Sequence, residues 1–308
     1  MDEKTEEKLY NFFEKVLEKN ILESVSFIFI GGEPLICMDL MLRIREKTEK
    51  IFTDIKKFYS IITNGCLLSE KNISSLSKYK WNYIQVTLDG SKELHDTIRI
   101  KKNNTGTFDT IIEGVRNCNK KDIPVCINYN LSEKSFKYLE PLLEYLQKNK
   151  IKADLEFSQI FECEGDFRKN KNHENFKSDV WYKSHNMAKK YGYSYAPFYR
   201  MSYMLCGRNR INDFNISPDG KLYKCISGIG VDKYCVGSIE DYNTIKYEQK
   251  LESFINFNKM PEKCHDCIFE IVCGGWCSYK KSVYGDYCPY NELKENDMKL
   301  LMEDLSKI

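Results

Sequence analysis

The first half of the chain alternates between short apolar segments and segments whose apolar residues recur at helical spacing. The apolar segments, which we predict to be strands, are residues 25–30, 58–62, 83–88, 123–129 and 153–158. Helices are predicted over about 2–20, 38–52, 69–78, 107–120 and 135–149. Strands that alternate with helices in this way form βα units around a parallel sheet. In such sheets the loops after the carboxyl ends of the strands hold the chemistry.

The alternation ends after about residue 160. Residues 166–177 are polar and charged and predict a linker, which a helix over about 178–191 follows. Pro218-Asp219-Gly220 predicts the turn of a β-hairpin, and later helices are expected over about 241–256 and 292–306. We therefore expect an α/β domain, a connecting region, a cysteine-rich domain and a C-terminal helix over residues 1–160, 161–204, 205–290 and 291–308.

The charge balance and the apolar runs exclude several classes of partner. The 47 Lys and Arg residues exceed the 45 Asp and Glu residues by two, so the net charge of +2 gives no electrostatic basis for binding nucleic acid. The longest apolar runs fall well short of the ~18 residues that a membrane span needs. The N-terminus is highly charged, unlike a secretory signal peptide. We expect a cytoplasmic protein without a nucleic-acid or membrane partner.

Cysteine is unevenly distributed along the chain. Five of the thirteen cysteines are scattered between residues 37 and 163, and eight lie in the last third, at Cys206, Cys225, Cys235, Cys264, Cys267, Cys273, Cys277 and Cys288. The cytosol keeps thiols reduced, which disfavours a disulfide framework. Ligation of a metal or an iron–sulfur cluster is the natural interpretation of such a segment.

The spacing of seven of these cysteines predicts two sites. Cys206 precedes Gly220 by thirteen intervening residues, and four more separate Gly220 from Cys225. The second group is Cys264-x2-Cys267-x5-Cys273-x3-Cys277, followed after ten residues by Cys288. Because four thiolates complete a site, seven indicate one complete site and one with three thiolates. The spacing alone leaves iron–sulfur and zinc equally open.

This pattern resembles the SPASM domain of radical S-adenosylmethionine (SAM) enzymes, which carries two auxiliary 4Fe-4S clusters. The resemblance implies that the outer cluster is held by Cys264, Cys267, Cys273 and Cys288, and the inner cluster by Cys206, Cys225 and Cys277. The inner cluster then either has an open iron, available to a substrate, or recruits a further ligand. Cys235 is a candidate for that ligand, and the alternative for Cys235 is a buried apolar cysteine.

The first half of the chain resembles the same family. Gly31-Gly32-Glu33-Pro34 is similar to the GGEP motif, which binds the amino end of SAM, and residues 63–65 resemble the TNG motif that includes Asn64. Residues 86–90 with His95, Asp96 and Arg99 resemble an SLDG…HDxxR segment. The resemblance implies that Thr87 contacts the SAM ribose or carboxylate and that Asn128 faces SAM. For His95, Asp96 and Arg99, a structural loop network and cofactor contact both remain open.

One family motif does not occur in the 308 residues: CxxxCxxC, which holds the SAM-cleaving cluster after the first barrel strand. The resemblance therefore implies a partial (β/α)6 TIM-like barrel that lacks its first strand and is followed by a small SPASM domain. Three interpretations follow. The chain is a truncated form, or it is a catalytically degenerate iron–sulfur binding or electron-transfer module, or a partner supplies the missing strand and cluster. In each case we expect this chain alone to be inactive.

The function that the resemblance implies is that of a peptide or protein maturase. Such an enzyme cleaves SAM to a radical that abstracts hydrogen from a side chain, and ribosomally made peptides and sulfatases are substrates of the family. The implied cofactors are SAM and the two auxiliary 4Fe-4S clusters, which accept electrons or anchor the substrate. The implied partners are the substrate and a reductant such as ferredoxin or flavodoxin. The sequence names no catalytic side chain.

Overall fold

The computed structural model describes residues 1–159, 178–193, 210–257 and 262–267, with Tyr279, Met302 and Ser306. Its helices are α1 Glu3–Lys19, α2 Met38–Ile51, α3 Glu70–Leu76, α4 Lys92–Ile98, α5 Phe108–Lys120, α6 Glu133–Phe136, α7 Leu139–Lys148, α8 Ser178–Lys190 and α9 Ile245–Phe257. Its strands are β1 Ser24–Phe29, β2 Lys56–Thr63, β3 Tyr83–Leu88, β4 Val125–Leu131, β5 Asp154–Gln159, β6 Asn215–Ile216, β7 Lys221–Tyr223 and β8 Cys235–Ser238. Every helix in these ranges is too short or too polar to cross a membrane.

The first five strands form a parallel sheet in the order β1-β2-β3-β4-β5. Each strand pairs with the next one along the chain, and at least one helix lies in each connection between them. This is the α/β fold that the alternation predicts, and all five predicted strands are confirmed to within about two residues at each end. Because the strands are parallel, their carboxyl ends lie at one edge of the sheet.

The two faces of this sheet differ in polarity. The register aligns Val86 with Ile127 and Ile127 with Leu155, and these side chains belong to the buried apolar core together with residues of α5 and α7. The neighbouring positions point to the opposite face, because side chains alternate along a strand. That face carries Ser60, Gln85, Thr87, Asn128, Asn130, Glu156 and Ser158. A parallel sheet buried in apolar surroundings on both sides would lack this polar face.

One predicted helix is split in two. The sequence predicts a single helix over 135–149, whereas α6 ends at Phe136 and α7 begins at Leu139. Pro141 explains the break, because inside a continuous helix proline has no N–H for the bond to residue 137 and its ring clashes with that carbonyl. In the observed structure Pro141 lies in the first turn of α7, where proline is tolerated. The short elements α4 and β8 were not predicted.

Strand β1 lies at one edge of the sheet. Among the described residues it pairs only with β2, and its burial alternates between exposed and half-buried positions. Ile28 is 51% exposed on the polar face, while Phe27 on the other face packs against Phe52 and Tyr59. Within the described residues, the ring contacts of this strand are made by Phe27 and Phe29, on the face that packs against the core.

A second compact unit contains α1 and the described residues from 210 onward, while residues 22–159 and 178–193 form the first. In the second unit β6, β7 and β8 form an antiparallel sheet, with the predicted hairpin between β6 and β7. The ring of Phe12 on α1 packs edge-on against Phe214 and Tyr242, and Lys8 forms an ion pair with Glu240 at 2.8 Å. The domain boundaries expected from the sequence stay a prediction.

Candidate functional site

The turn after β1 is held by the carboxylate of Glu33. One oxygen, Oε1, accepts hydrogen bonds from the backbone N–H of Leu35 at 3.0 Å and from the Thr63 hydroxyl at 2.7 Å. The other, Oε2, accepts from the backbone N–H of Asn64 at 2.8 Å. Glu33 therefore caps the short 3-10 helix Pro34–Cys37 at its N-terminus, and it also joins this helix to the loop after β2. The GGEP and TNG segments form one connected structure at the carboxyl edge of the sheet.

The glycines of the GGEP segment border open space. Gly31 and Gly32 are exposed, and a Cβ built on either one would have no atom within 4 Å. Neither shows the positive φ that would require glycine for backbone reasons. Gly65 is different, because its φ of +80° is in the left-handed region and an added Cβ would lie 3.1 Å from Ile111. The backbone conformation and the packing of the protein therefore account for glycine at position 65. At Gly31 and Gly32 they do not, and the missing side chains leave the backbone accessible to a ligand.

Thr87 and Asn128 lie side by side on the polar face, directly opposite each other in the register of β3 and β4. Both are half-buried. The amide oxygen of Asn128 accepts a hydrogen bond from the Ser158 hydroxyl at 2.6 Å, and the Nδ2 of Asn128 lies 3.4 Å from the Asn130 side chain. The neighbours on β4 and β5 thus fix the orientation of this amide. The structure brings together two residues that the sequence proposed separately.

Sequence reasoning missed the other polar side chains on this face. The Nε2 of Gln85 donates to Glu156 Oε2 at 2.7 Å, a bond that passes across β4 from β3 to β5. The sequence of β4 could have predicted this face. Apolar residues there alternate with Cys126, Asn128 and Asn130, and these three positions are half-buried on the polar face. The pairing of Gln85 with Glu156 depends on a register between strands 71 residues apart, which the sequence alone does not reveal.

A buried carboxylate connects the SLDG…HDxxR segment to the polar face. Asp89, whose side chain is 6% exposed, forms an ion pair with Arg99. Its Oδ1 also accepts a hydrogen bond from the Nδ2 of Asn130 at 2.7 Å. Pairing and hydrogen bonding offset the cost of burying this charge. Arg99 is therefore held at the carboxyl edge of the sheet through Asp89.

His95 and Asp96 have structural partners. The backbone N–H of Asp89 donates to His95 Nδ1 at 3.2 Å, so the proton of the neutral ring is on Nε2, which lies 2.9 Å from the Thr107 hydroxyl. Burial lowers the pKa of His95. The Asp96 carboxylate accepts from the backbone N–H of Phe108 at 2.9 Å at the start of α5. The sequence left open whether His95 and Asp96 contact a cofactor or belong to a structural loop network. Their hydrogen bonds support the structural network.

Four of the eight cysteines in the last third are described. Cys225, Cys235, Cys264 and Cys267 are half-buried and form no disulfide. Cys264 and Cys267 flank a tight turn, with the backbone N–H of Cys267 donating to the Cys264 carbonyl at 3.2 Å. The predicted ligands Cys206, Cys273, Cys277 and Cys288 lie outside the described residues. Within the described part, no three acidic, cysteine or histidine residues converge as a metal site would require.

Comparison with protein families and curated proteins finds similarity to radical SAM proteins. Residues 1–146 match the Radical SAM superfamily. A cysteine-type anaerobic sulfatase-maturating enzyme of Clostridium novyi is 25% identical over 304 residues, covering 88% of this chain and 78% of that protein. The radical SAM cyclopropyl synthase TigE of Paramaledivibacter caminithermalis is 31% identical over 159 residues, a match that spans 34% of its length.

Two solved structures share the fold. Native anSMEcpe with bound AdoMet and the Kp18Cys peptide aligns with a TM-score of 0.78 and 21% identity, covering 100% of this chain and 91% of that one. Streptococcus suis SuiB bound to S-adenosylmethionine aligns with a TM-score of 0.63 and 19% identity over 90% of this chain and 68% of that one. At these identities the likeness establishes the α/β architecture.

Proposed function

We propose, on the premise that the first half of this chain is a radical SAM domain, that the protein is a maturase that modifies a side chain of a peptide or protein. SAM would bind at the carboxyl edge of the parallel sheet, and the cysteine-rich segment would hold two auxiliary 4Fe-4S clusters. The observation that carries the proposal is that the GGEP loop and the TNG loop are hydrogen-bonded to each other, next to the polar face of the sheet. Glu33 connects the two motifs at 2.7–2.8 Å.

The residues of the SAM site have distinct roles in this proposal. The open backbone of Gly31 and Gly32 fits close approach by the amino end of SAM, because among the described residues no atom lies within 4 Å of a Cβ built on either glycine. Glu33 and Pro34 hold the turn, and Asn64 follows it in the next loop. Thr87 and Asn128 supply a hydroxyl and an amide from adjacent strands, groups suited to a ribose or carboxylate.

The chemistry that bound SAM supplies is one-electron cleavage to a radical that abstracts a hydrogen atom. The 308 residues contain no CxxxCxxC, so we assign no residue to the cluster at which SAM is cleaved. The protein's own residues bind SAM, orient it over the polar face and separate it from the apolar core behind the sheet. A reductant such as ferredoxin or flavodoxin would deliver the electron.

The substrate class is proposed from the relatives. The relative from Clostridium novyi is described as a sulfatase-maturating enzyme, and a structural neighbour carries a bound peptide. A polar sheet face lined by amide, hydroxyl and carboxylate groups suits a peptide backbone, which presents both donors and acceptors. The auxiliary clusters would hold the peptide or accept its electrons. Their ligands would be Cys206, Cys225 and Cys277 for the inner cluster and Cys264, Cys267, Cys273 and Cys288 for the outer cluster.

SAM binding tests the proposal without requiring turnover. In anaerobic equilibrium dialysis with labelled SAM, the reconstituted chain should bind, and Asn128→Leu should weaken binding by about tenfold, equivalent to ~1.4 kcal/mol for one lost hydrogen bond. The matched control is Lys148→Met, which changes the last residue of α7 away from the polar face.

The outcome separates the maturase from the alternative function class. A chain that takes up iron but binds no SAM would be an iron–sulfur binding or electron-transfer module, and the maturase proposal would fail. If Asn128→Leu binds SAM as tightly as the wild-type chain, the maturase proposal stands. The polar face would then be excluded as the SAM site. Formation of 5′-deoxyadenosine with dithionite then reports whether this polypeptide cleaves SAM by itself.

A further inference from the structure

A continuous chain of side-chain hydrogen bonds runs along the polar face from β5 to the loop after β3. The Ser158 hydroxyl donates to Asn128 Oδ1 at 2.6 Å, and Asn128 Nδ2 donates to Asn130 Oδ1 at 3.4 Å. Asn130 Nδ2 donates in turn to Asp89 Oδ1 at 2.7 Å. Arg99 donates to both oxygens of the same carboxylate. In every bond of this chain the donor lies on the side away from Asp89.

The Asp89 carboxylate fixes the direction of the chain. It is 6% exposed, it is paired with Arg99, and a carboxylate can only accept hydrogen bonds. Asn130 must therefore turn its Nδ2 toward Asp89, which leaves its Oδ1 beside Asn128. Because a carbonyl oxygen also only accepts, Asn128 must present its Nδ2 to Asn130 and its Oδ1 to Ser158. Reversing either amide would place two acceptors against each other and lose a bond.

The orientation of the Asn128 amide determines what it can offer a bound molecule. Its two side-chain partners among the described residues are Ser158 at Oδ1 and Asn130 at Nδ2. An amide nitrogen carries two N–H groups, so the second N–H of Asn128 is left for a ligand. The side chain is half-buried, which leaves part of it accessible. The matching ligand atom is an oxygen that accepts a hydrogen bond.

We propose that Asn130 is a positioning residue for SAM. It connects the Asp89–Arg99 ion pair to Asn128 and so holds the Asn128 amide with one N–H available to an oxygen of SAM, in the ribose or the carboxylate. Because the amide is held before SAM arrives, less side-chain entropy is lost on binding. This role rests on the proposed function, since it presupposes that SAM binds at the polar face.

The test is a double-mutant cycle in which SAM affinity is measured by anaerobic equilibrium dialysis. Asn128→Leu and Asn130→Leu should each weaken binding by up to about tenfold. The double variant should bind no more weakly than about tenfold below wild type, because both substitutions remove the same contact to SAM. The matched control is Asn119→Leu, which also removes two amide bonds, both at 2.9 Å to the backbone of Lys152, but just before β5 at the amino edge of the sheet. It should bind SAM like the wild-type chain.

A second ligand identifies the oxygen that Asn128 contacts. 5′-Methylthioadenosine keeps the ribose of SAM and lacks its carboxylate. If Asn130→Leu weakens the binding of both molecules, the role of Asn130 is supported with a ribose oxygen as the acceptor. If it weakens only the binding of SAM, the role is supported with the carboxylate as the acceptor.

Three results would overturn the assignment of Asn130. Wild-type SAM affinity in Asn130→Leu would show that Asn128 is held without it. A roughly hundredfold loss in the double variant would show that the two residues act independently. Wild-type affinity in Asn128→Leu would remove the polar face as the SAM site and the role of Asn130 with it.

Folding and the proposed function are checked separately from this assignment. Urea denaturation reports whether each variant folds. Should Asn130→Leu fail to fold, Asn130→Ala removes the amide without adding apolar bulk, and wild-type affinity there would equally overturn the assignment. A wild-type chain that binds no SAM would refute the proposed function instead.

Discussion

The three hydrogen bonds accepted by Glu33 give this residue a structural task at the proposed SAM site. Its carboxylate holds the backbone N–H groups of Leu35 and Asn64 and the hydroxyl of Thr63. The resemblance implies that the GGEP segment binds the amino end of SAM. The three bonds show that Glu33 shapes the two loops, and in the proposed site the exposed backbone of Gly31 and Gly32 would face SAM. Charge-assisted bonds of this kind contribute about 1.5–3 kcal/mol each.

His95 makes the stability of the sheet unit sensitive to pH. Burial lowers the pKa of His95 below its usual 6.5, and its Nδ1 is the acceptor for the backbone N–H of Asp89. The folded state therefore binds a proton less readily than the unfolded state. Its contribution to stability is complete above about pH 6.5 and is lost as the pH falls through the lowered pKa of the folded protein. We expect the urea midpoint to decrease between pH 7.5 and 5.5.

Replacement of His95 isolates its share of that decrease. His95→Gln should lower the urea midpoint at pH 7.5, because it disrupts the bonds to Asp89 and Thr107, but its midpoint should depend less on pH than that of the wild-type chain. The other titrating groups are common to both proteins and cancel in the comparison. Parallel pH profiles measured by circular dichroism would contradict this assignment.

At the level of elements, helix α5 packs unusually close to the loop after β2. A Cβ added at Gly114 would lie 2.6 Å from the Cβ of Leu68 and 3.3 Å from the carbonyl of Gly65. Neither atom is the end of a flexible side chain, so the helix or the loop would have to move. Glycine at this position therefore sets the distance between α5 and the loop that carries Asn64.

Gly114→Ala should consequently destabilise the protein although alanine favours helices. Overpacking costs about 1–3 kcal/mol, against a gain of about 1 kcal/mol in helix propensity. We expect a net loss of roughly 1 kcal/mol in unfolding free energy, measured by urea denaturation, together with weaker SAM binding. Ser74→Ala, at an exposed position of α3, is the control and should not reduce either quantity. An unchanged or higher urea midpoint for Gly114→Ala would show that the loop yields without cost.

For the whole molecule, the sequence predicted the elements better than their contacts. Apolar runs that end at Gly31, Asn64 and Asp89 predicted the strands, because these residues stop a buried strand at a polar turn. The polar face was only partly visible, since Gln85 and Glu156 meet through a register that no local pattern contains. The grouping of α1 with the C-terminal residues was likewise unforeseen, because the ring contacts of Phe12 join segments about 200 positions apart.

In the cysteine-rich segment, iron content should distinguish a cysteine that binds a cluster from a cysteine with a structural role. Cys235 lies on β8, and its thiol donates to the Gly237 carbonyl at 3.3 Å, a bond that a protonated thiol makes. Cys264 lies on the short turn with Cys267 and has the spacing of a ligand pair. Cys235→Ala should therefore keep about eight iron per chain, whereas Cys264→Ala should keep about four and lose much of the order of the tail, because cluster binding there supplies folding free energy. Loss of iron in Cys235→Ala would instead identify Cys235 as the fourth ligand of the inner cluster, and about twelve iron in the wild-type chain would reveal a third cluster with ligands outside the seven proposed.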